Sequence, residues 1–459
     1  MLKQIIYPLS LLNTAYKKYL FAIFNLTFIY NLGVIFIIIF LIQQWKNQCQ
    51  NIIKQFETKL LLVITISFII SSIFAHNSLD SWLGLPNFLP FFALFLAVKT
   101  IITKAEDLIV SAFFVSCTSI FVLIIGLGQL FLNWQIAGVF RSVIGWRVIL
   151  NGYPPDRMSA IFTHANSLTL FLCTSLTFCI GLLLTSQPKF KIKISSKQKF
   201  YPIKQRVVNV FNNPKNIRYF LILTIIFDLI GIYFTNSRMG WMITVFILVS
   251  FSIYCHWYKI LQLITIAGII VGWASFGNLP GQSIMRQIVP ASLWLRLSDQ
   301  MFPNRPVETL RITQWQFAWE MMGDRPLFGW GLRNFDYLYR QTYDIYIGHP
   351  HNLFLMLGSE TGLIGLTLMC IFVGITLYKS IIYLSLLKNN KKESIIVFTY
   401  LISFGNCILY NLSDSSIFDL RLNLIGWIIL GSIAGISDPI NHENYNLRSQ
   451  GEFVQDDDD

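Results

Sequence analysis

Two arginines and two histidines stand out in a chain in which only 13 % of the 459 residues are charged. Arg238 lies in a short polar turn between two apolar segments, and Arg311 begins a segment that contains several tryptophans. His349 and His351 come directly before a third apolar segment. A guanidinium group binds phosphate oxygens through parallel hydrogen bonds, and an imidazole can accept a proton near neutral pH. These residue types favour proton transfer on a phosphorylated substrate.

Each of these residues also has a structural interpretation. An arginine at a membrane boundary often anchors a helix to lipid headgroups, so Arg238 fits either role. The segment 309–320 has the composition of a helix lying along the interface, and Pro326 and two nearby glycines predict its break at 324–331. In such a helix Arg311 could be purely structural.

The two histidines raise the question of zinc. Zinc is disfavoured, because no further cluster of His, Cys or Glu lies nearby at ligand spacing. Asn352 is expected to cap the helix that follows. We therefore expect no metal and no cofactor, and a His351 that either packs structurally or abstracts a proton.

The composition is that of a membrane protein that crosses the bilayer many times. Hydrophobic residues make up 54 % of the chain, whereas soluble domains carry about twice as many charged residues as this one. The net charge of +12 is explained first by basic residues that flank apolar spans, so we expect no nucleic-acid partner. The seven cysteines mostly lie in apolar segments without a CxxC pair and are interpreted as small buried residues.

Apolar segments of about 20 residues predict an all-α bundle with eleven transmembrane helices. A twelfth is possible if residues before Leu20 enter the membrane. The predicted spans are 20–42, 60–75, 86–102, 108–132, 161–185, 219–236, 241–256, 260–277, 353–378, 395–411 and 420–436.

Lysine and arginine in short loops predict the orientation of the bundle. The segment 186–218 holds nine Lys or Arg and no acid, and the segment 379–393 adds four lysines, so both should face the cytoplasm. Counting spans places 133–160, 278–352 and 412–419 on the opposite side. The N-terminus conflicts with this pattern, because its lysines also favour the inside. An embedded segment before Leu20 would remove the conflict.

The two large outer loops contain arginine but no lysine, which is consistent with an anionic substrate. Structural salt bridges with the six acids of the longer loop are the alternative, and we expect them to account for about half of these arginines. Arg157, His164, Asn166, Asp414, Asp419 and Arg421 share the predicted outer side, and we take Arg157 and Asp414 as accessory site candidates. The loop arginines are Arg141, Arg147, Arg157, Arg286, Arg296, Arg305, Arg311, Arg325, Arg333 and Arg340.

The order of these motifs resembles the O-antigen ligase and polymerase superfamily of integral membrane glycosyltransferases, known as the Wzy_C type. The resemblance covers about residues 159–436 and is best between 235 and 366. It is carried by Ser237-Arg238, Arg311 with Trp315, Asp324 and Pro326, the sequence FGWG at 328–331, the sequence HPHN at 349–352 and the sequence ETGLIG at 360–365.

The resemblance implies a metal-independent, inverting transfer of a glycan from an undecaprenyl diphosphate carrier to an acceptor hydroxyl on the extracytoplasmic face. His351 would be the general base, Arg238 and Arg311 would hold the diphosphate, and His349 and Asn352 would be accessory residues. The implied partners are a lipid-linked glycan donor, a glycolipid or glycan acceptor such as that of lipopolysaccharide, and membrane lipids.

Glycan transfer is our first hypothesis, with ligase activity placed ahead of polymerase activity of the same superfamily. The second hypothesis, from a different class, is a transporter of a small anion such as bicarbonate, and the acid Asp228 within a span is compatible with it. A partner subunit with unused site residues is the third possibility. The sequence does not identify the sugar, the acceptor or the oligomeric state.

We expect residues 1–436 to form a single membrane domain that includes the large outer loop 278–352. Residues 437–459 are expected to form an acidic disordered tail, since the chain ends in four aspartates. The plasma (inner) membrane is the expected location. A plastid membrane is the alternative, because the abundance of Ile, Phe, Asn and Lys is typical of AT-rich genomes.

Overall fold

The computed structural model describes residues 14–185, 213–276, 280–301, 304–387 and 390–438. These ranges are helical and contain no β-strand, which confirms the all-α fold. Most of the basic segment 186–218 and all but two residues of the predicted tail 437–459 lie outside the described residues.

The first predicted span, 20–42, is wrong, because the chain reverses direction inside it. Helix α1 (Thr14–Phe28) and helix α2 (Tyr30–Lys54) are joined by a single residue. Lys18 Nζ donates a hydrogen bond to Gln43 Oε1 over 2.7 Å, whereas two residues 25 positions apart in one straight helix are separated by about 37 Å. Hydropathy records apolar content and not backbone direction, so one long apolar run concealed two antiparallel helices.

The remaining helices follow the predicted spans closely, with additional short helices in the loops. They are α3 (Phe56–Ile73), α4 (Ser78–Gly84), α5 (Leu89–Ile101), α6 (Ala105–Phe131), α7 (Gly138–Ile144), α8 (Ala165–Leu184), α9 (Pro214–Thr235), α10 (Arg238–Tyr254), α11 (Tyr258–Ser275), α12 (Gln282–Ile288), α13 (Ala291–Leu297), α14 (Arg311–Asp324), α15 (Asn334–Tyr343), α16 (Leu353–Leu386), α17 (Lys391–Asn411) and α18 (Leu420–Ile436), with 3-10 turns at Leu85–Asn87 and Val307–Thr309.

Nine helical segments in the described ranges are long and apolar enough to cross a membrane, with α4 and α5 counted as one. Helices α10 and α18 are apolar but have only 17 residues each. Together with α1, these two helices bring the number of apolar helical segments in the described ranges to twelve, the larger of the two predicted numbers. The chain is therefore an integral, multi-pass membrane protein.

One end of the bundle carries a network of lysines and acids, and we call it the lysine end. Glu57 forms ion pairs with Lys99 and Lys379, each with an N–O distance of 2.8 Å. Lys99 also pairs with Asp438 over 2.8 Å, directly after the last helix. Because Glu57 and Lys99 are buried, this network ties α3, α5 and α16 together at the point where α18 ends.

The N-terminal helix begins at the lysine end. Gln44 donates a hydrogen bond to Thr100 Oγ1 over 2.9 Å, next to Lys99, and Lys18 contacts the neighbouring Gln43. The reversal after α1 therefore places Lys18 at the same end as the other lysines. The conflict that the sequence showed at the N-terminus disappears.

The opposite end of the bundle carries the large connections 132–164, 276–352 and 412–419, and we call it the loop end. Arg421 of α18 is buried there and donates hydrogen bonds to the backbone carbonyls of Leu26, Gly145 and Ile161 over 3.2, 2.5 and 2.8 Å. This arginine therefore fixes the first helical hairpin and the 133–160 connection to the last helix.

Helix α16 is bent where it meets the loop. Gly362 has φ 70° and ψ 178°, backbone angles that in practice only glycine adopts. A Cβ at Gly362 would lie 2.2 Å from the carbonyl oxygen of Leu327, and one at Gly329 would lie 2.5 Å from that of Glu360. The predicted break after α14 is confirmed, and its glycines allow the loop 325–331 to pack directly on this bend.

The interior of the bundle differs from the sequence expectation at a few positions. Cys49 and Cys370 are exposed on their helices, although the cysteines were expected to be buried, because an apolar helix that faces lipid also carries them. Asp228 of α9 is fully buried, and neither of its carboxylate oxygens has a hydrogen-bond partner among the described residues.

Candidate functional site

The predicted site residues all lie at the loop end of the bundle, on five separate segments of the chain. His351 is hydrogen-bonded to Asp414, and the charge of Arg311 acts on Arg157 and His349. Arg238 is connected through the preceding Ser237, whose hydroxyl binds Asn166. The residues are Arg157, Arg238, Arg311, His349, His351, Asn352 and Asp414.

His351 and Asp414 form the centre of this group. The distance between His351 Nδ1 and Asp414 Oδ1 is 3.2 Å, and 32 % of the His351 side chain is exposed. His351 has φ 51°, in the left-handed region that few residues other than glycine and asparagine adopt. Asn352 follows and accepts hydrogen bonds from the backbone N–H groups of Phe354 and Leu355, so it caps α16 as predicted. The start of this helix thus fixes the position of the imidazole.

The ionisation of Asp414 determines which nitrogen of His351 carries the proton. Burial raises the pKa of the Asp414 carboxyl, but the hydrogen bond from His351 and the charges of His351 and His349 outweigh burial and hold that pKa well below its ordinary value. An ionised carboxylate only accepts hydrogen bonds, so His351 Nδ1 donates. The lone pair of His351 Nε2 is then free to accept a proton, as a general base requires.

Asn166, at the start of α8, links three parts of the site. Its Nδ2 donates to Asp414 Oδ2 over 2.9 Å, and its Oδ1 accepts from Arg157 over 2.7 Å and from the Ser237 hydroxyl over 3.2 Å. Ser237 directly precedes Arg238. The sequence placed Asn166 on this side of the membrane but not in this role, because its partners are 9, 71 and 248 residues away.

Arg157 is a largely buried cation beside these groups. Its Nε donates to the carbonyl of Thr235 over 2.8 Å. Burial and then the charges of Arg296 and Arg311 lower the pKa of Arg157 to about 10. The group therefore remains protonated at neutral pH, and the charges of Arg296 and Arg311 add to the effect of burial.

His349 is held beside His351 as a neutral imidazole. Its Nδ1 accepts a hydrogen bond of 3.1 Å from the backbone N–H of His351, and its ring stacks on Phe418 with the centroids 5.1 Å apart. Burial and then the charge of His351 lower the pKa of His349 to about 4. Its proton therefore sits on Nε2, which is 3.8 Å from Asp414 Oδ1.

A metal ion is a second use to consider for this cluster. His349, His351 and Asp414 each offer one ligand atom, and these atoms lie within 4.8 Å of one another. The sequence argument against zinc overlooked Asp414, which is 63 residues from His351. However, an imidazole that binds a metal through Nε2 carries its proton on Nδ1, and Nδ1 of His349 already faces an N–H donor. The geometry fits a hydrogen-bonded cluster better than a metal site.

Arg238, at the start of α10, contacts the long loop. One of its terminal nitrogens lies 2.5 Å from Asp299 Oδ1, and Arg305 binds both oxygens of the same carboxylate. Arg296, which is buried, lies close enough for the charges of Arg238 and Arg305 to lower its pKa, although burial is the larger cause. The sequence analysis did not single out Arg296, Asp299 or Arg305, because loop spacing gives no sign that they converge on Arg238.

Arg311 begins α14 with an exposed side chain. The structure gives it no hydrogen bond or ion pair to another described residue. Its charge contributes to the lowered pKa values of Arg157, His164 and His349, so it lies near the histidine cluster. An exposed guanidinium group in this position is available to an anionic ligand.

A groove opens along α14 on the side that faces the start of α16. It is lined by Trp315, Gln316, Trp319, Glu320 and Leu355. Trp315 and Trp319 follow Arg311 at intervals of four residues, so the three residues occupy one face of the helix. The side chains of Trp315 and Trp319 therefore form an aromatic surface that extends from Arg311 along α14.

Comparison with known families agrees with the sequence resemblance. Residues 223–370 match the Wzy_C family model, which is described as O-antigen ligase. Arg238, Arg311 and His351 lie inside this region, whereas Arg157 and Asp414 lie outside it. The match supports a membrane glycosyltransferase-like function of the ligase or polymerase kind, with lipid-linked glycan donors and glycan acceptors. No curated protein matches the chain.

Proposed function

We propose that this protein transfers a glycan from a polyprenyl diphosphate carrier to an acceptor hydroxyl, and the match of residues 223–370 to the Wzy_C family model supports this. The observation that carries the proposal is the hydrogen bond between His351 and Asp414 at the end of the bundle that also holds Arg238 and Arg311. A base and a phosphate-binding group are what this reaction requires.

His351 acts as the general base in the proposed step. Its Nε2 removes the proton from the acceptor hydroxyl while the hydroxyl oxygen attacks the anomeric carbon of the donor sugar. The bond from that carbon to the diphosphate oxygen breaks with its electron pair, so the configuration inverts. Asp414 keeps Nδ1 of His351 protonated and stabilises the imidazolium that forms.

Arginines stabilise the negative charge that develops on the leaving diphosphate. Arg311 is exposed beside the histidine cluster, and Arg238 lies next to Ser237, whose hydroxyl is hydrogen-bonded to Asn166. Arg157 adds a buried positive charge to the same region. Guanidinium groups bind phosphate oxygens bidentately and supply this stabilisation without a metal.

The extracytoplasmic face is the proposed location of the site. The lysines that the positive-inside rule assigns to the cytoplasm include Lys99 and Lys379, which lie at the end of the bundle opposite to His351. We also propose that residues 1–436 act as one domain, since Arg421 near the C-terminus binds the carbonyl of Leu26 in the first helix.

Ligase and polymerase activities share the donor and the chemistry and differ in the acceptor. A ligase uses the hydroxyl of a glycolipid anchor, and a polymerase uses a second lipid-linked glycan. We place ligase first. Supplying purified protein with each acceptor separately identifies which of the two is extended.

Anion transport is the second candidate, and the observation in its favour is Asp228. This carboxyl is fully buried in α9, and neither oxygen has a hydrogen-bond partner in the described part of the chain. Buried acids inside membrane helices are common in transporters of ions and protons. A transporter would lose anion uptake when Asp228 is replaced by asparagine and would keep it when His351 is replaced.

The test is complementation of a strain that lacks the gene with His351→Ala, and with His256→Ala as the matched control. His256 is an exposed histidine in the connection between α10 and α11. Loss of the general base should lower glycan transfer by about 10²-fold to 10⁴-fold, while the control variant transfers glycan like the wild type. Full glycan transfer by His351→Ala, at equal protein level in the membrane, contradicts the proposal.

A further inference from the structure

The contact between Arg238 and Asp299 suggests how the site handles its anion. The guanidinium groups of Arg238 and Arg305 both contact the carboxylate of Asp299, and the charge of Arg296 lies near them. The carboxylate of Asp299 belongs to the turn after α13, and 48 % of its side chain is exposed. An aspartate therefore occupies the space between two arginines that point to the loop end of the bundle.

The arginines around Asp299 repel one another. After burial, the charges of Arg238 and Arg305 are the largest causes that lower the pKa of Arg296. Crowded cations of this kind are stabilised by an anion placed between them, and a phosphoryl group, with up to two negative charges, does this better than a single carboxylate. The charges of the arginines thus favour a ligand more negative than Asp299.

Asp299 binds the arginines as a phosphoryl group would. Its Oδ1 contacts one terminal nitrogen of Arg238 over 2.5 Å, and both of its oxygens accept from Arg305. Carboxylates and phosphates present oxygen pairs of similar spacing to a guanidinium fork. Nearly half of the Asp299 side chain is exposed, so a ligand can reach the place that its carboxylate occupies.

We propose that Arg238, Arg296 and Arg305 form a subsite for one phosphoryl group of the lipid diphosphate, and that Asp299 occupies this subsite until the diphosphate displaces it. This inference rests on the proposed function, because it assigns a diphosphate to the site. It adds Arg305 and Arg296 to the residues that bind the carrier. It also gives Asp299 the role of a competitor that weakens binding and hastens release of the leaving diphosphate.

The experiment measures binding of inorganic pyrophosphate and of farnesyl diphosphate to the full-length protein in detergent. Asp299→Asn keeps the shape of the side chain and removes its charge, so both ligands should bind several-fold more tightly, since exposed ion pairs contribute up to about 1 kcal/mol and 1.4 kcal/mol is tenfold. Arg305→Gln should weaken binding of both ligands by about tenfold.

Matched controls exist in the same loop. Asp344 is an exposed aspartate with φ 55°, and Arg340 is an exposed arginine of α15. Asp344→Asn and Arg340→Gln should bind both ligands like the wild type. Farnesyl diphosphate reports on the lipid-linked form and pyrophosphate on the diphosphate alone, so equal effects on both place the change at the phosphoryl groups.

Unchanged or weaker binding by Asp299→Asn overturns the inference, because a competitor cannot be removed without a gain in affinity. Equal affinities of Arg305→Gln and Arg340→Gln overturn it as well. Glycan transfer by the wild type is measured in parallel. If the wild type transfers glycan but the variants do not show the predicted order of affinities, the subsite is refuted and the proposed function stands. If the variants show that order but the wild type transfers no glycan, the proposed function is refuted.

Discussion

At the scale of single residues, the chemistry depends on which atoms of His351 are free. Asp414 accepts from Nδ1 over 3.2 Å and is held on its other oxygen by Asn166. This arrangement resembles the histidine–carboxylate pair of hydrolases, in which the acid orients the ring and does not itself take the proton. The second histidine, His349, has its pKa lowered to about 4, by burial and then by the charge of His351, and is therefore neutral at neutral pH.

Replacing Asp414 by asparagine tests the orienting role. The amide can donate to His351 Nδ1, so the ring adopts the other tautomer and its Nε2 carries the proton. We expect kcat to fall by about 10³-fold to 10⁴-fold with little change in the KM for the donor, as in other histidine–aspartate pairs. Steady-state kinetics on purified protein checks this, with Asp344→Asn as the control. A rise in KM with unchanged kcat would show that Asp414 serves substrate binding instead.

The main candidate residues of the site could be identified from the sequence, but the residues that contact them could not. Arg238, Arg311 and His351 are recognisable because polar groups beside apolar spans are rare. Asn166 and Asp299 act through contacts with residues 248 and 61 positions away, and no local pattern contains that information. The arrangement of helices in three dimensions brings these partners together.

At the scale of helices, the bend in α16 affects the position of His351, which directly precedes this helix. A helix of 34 residues is about 50 Å long, whereas the hydrocarbon core of a bilayer is about 30 Å thick. The part of α16 before Gly362 packs against α14 and the loop 325–331, with Trp330 N–H donating to the carbonyl of Ser359 over 3.0 Å. The bend thereby keeps the start of α16, which follows His351, packed against α14, which begins at Arg311.

Gly362→Ala is predicted to destabilise the protein, and Gly268→Ala to leave it unchanged. The left-handed backbone costs alanine about 1–2 kcal/mol, and the new Cβ would meet the carbonyl of Leu327 at 2.2 Å. Gly268 lies inside α11 with open space around it, so alanine fits there and favours the helix. Thermal unfolding in detergent compares the two variants. Equal midpoints would show that the bend tolerates a side chain.

Helix prediction succeeded where helix-breaking residues mark the end of an apolar segment. It failed where the chain reverses direction within one apolar segment. The break after α14 is signalled by Pro326 and Gly329, which the structure places in the loop as expected. The reversal between α1 and α2 has no such signal, since Ile29 at the turn is as apolar as the helices beside it. Packing of Phe21 on Phe36, with ring centroids 4.6 Å apart, stabilises this hairpin and cannot be inferred from hydropathy.

At the scale of the whole molecule, charge separates the two ends of the bundle. Ion pairs of Lys99 and Lys379 with Glu57 close one end, and the arginines and histidines of the site gather at the other. Lysine counts were enough to predict this asymmetry, because the positive-inside rule uses only the basic residues of the loops and needs no knowledge of contacts in the folded protein.

Labelling with a membrane-impermeant maleimide tests the orientation. Cys49 is exposed near the lysine end of α2, and Asp344 is exposed in the large loop. In intact cells Asp344→Cys should react, while Cys49 should react only after the membrane is permeabilised. Peptide mass spectrometry assigns the label. The reverse pattern would place the site in the cytoplasm.

The most direct test of the central claim is turnover of a defined lipid-linked glycan by the purified protein in liposomes, followed by release of polyprenyl diphosphate and by the anomeric configuration of the product. The wild type should release the diphosphate and form an inverted glycosidic bond without added metal, and His351→Ala should do both about 10²-fold to 10⁴-fold more slowly. Release of diphosphate by His351→Ala at the wild-type rate, or a product with retained configuration, would contradict the account.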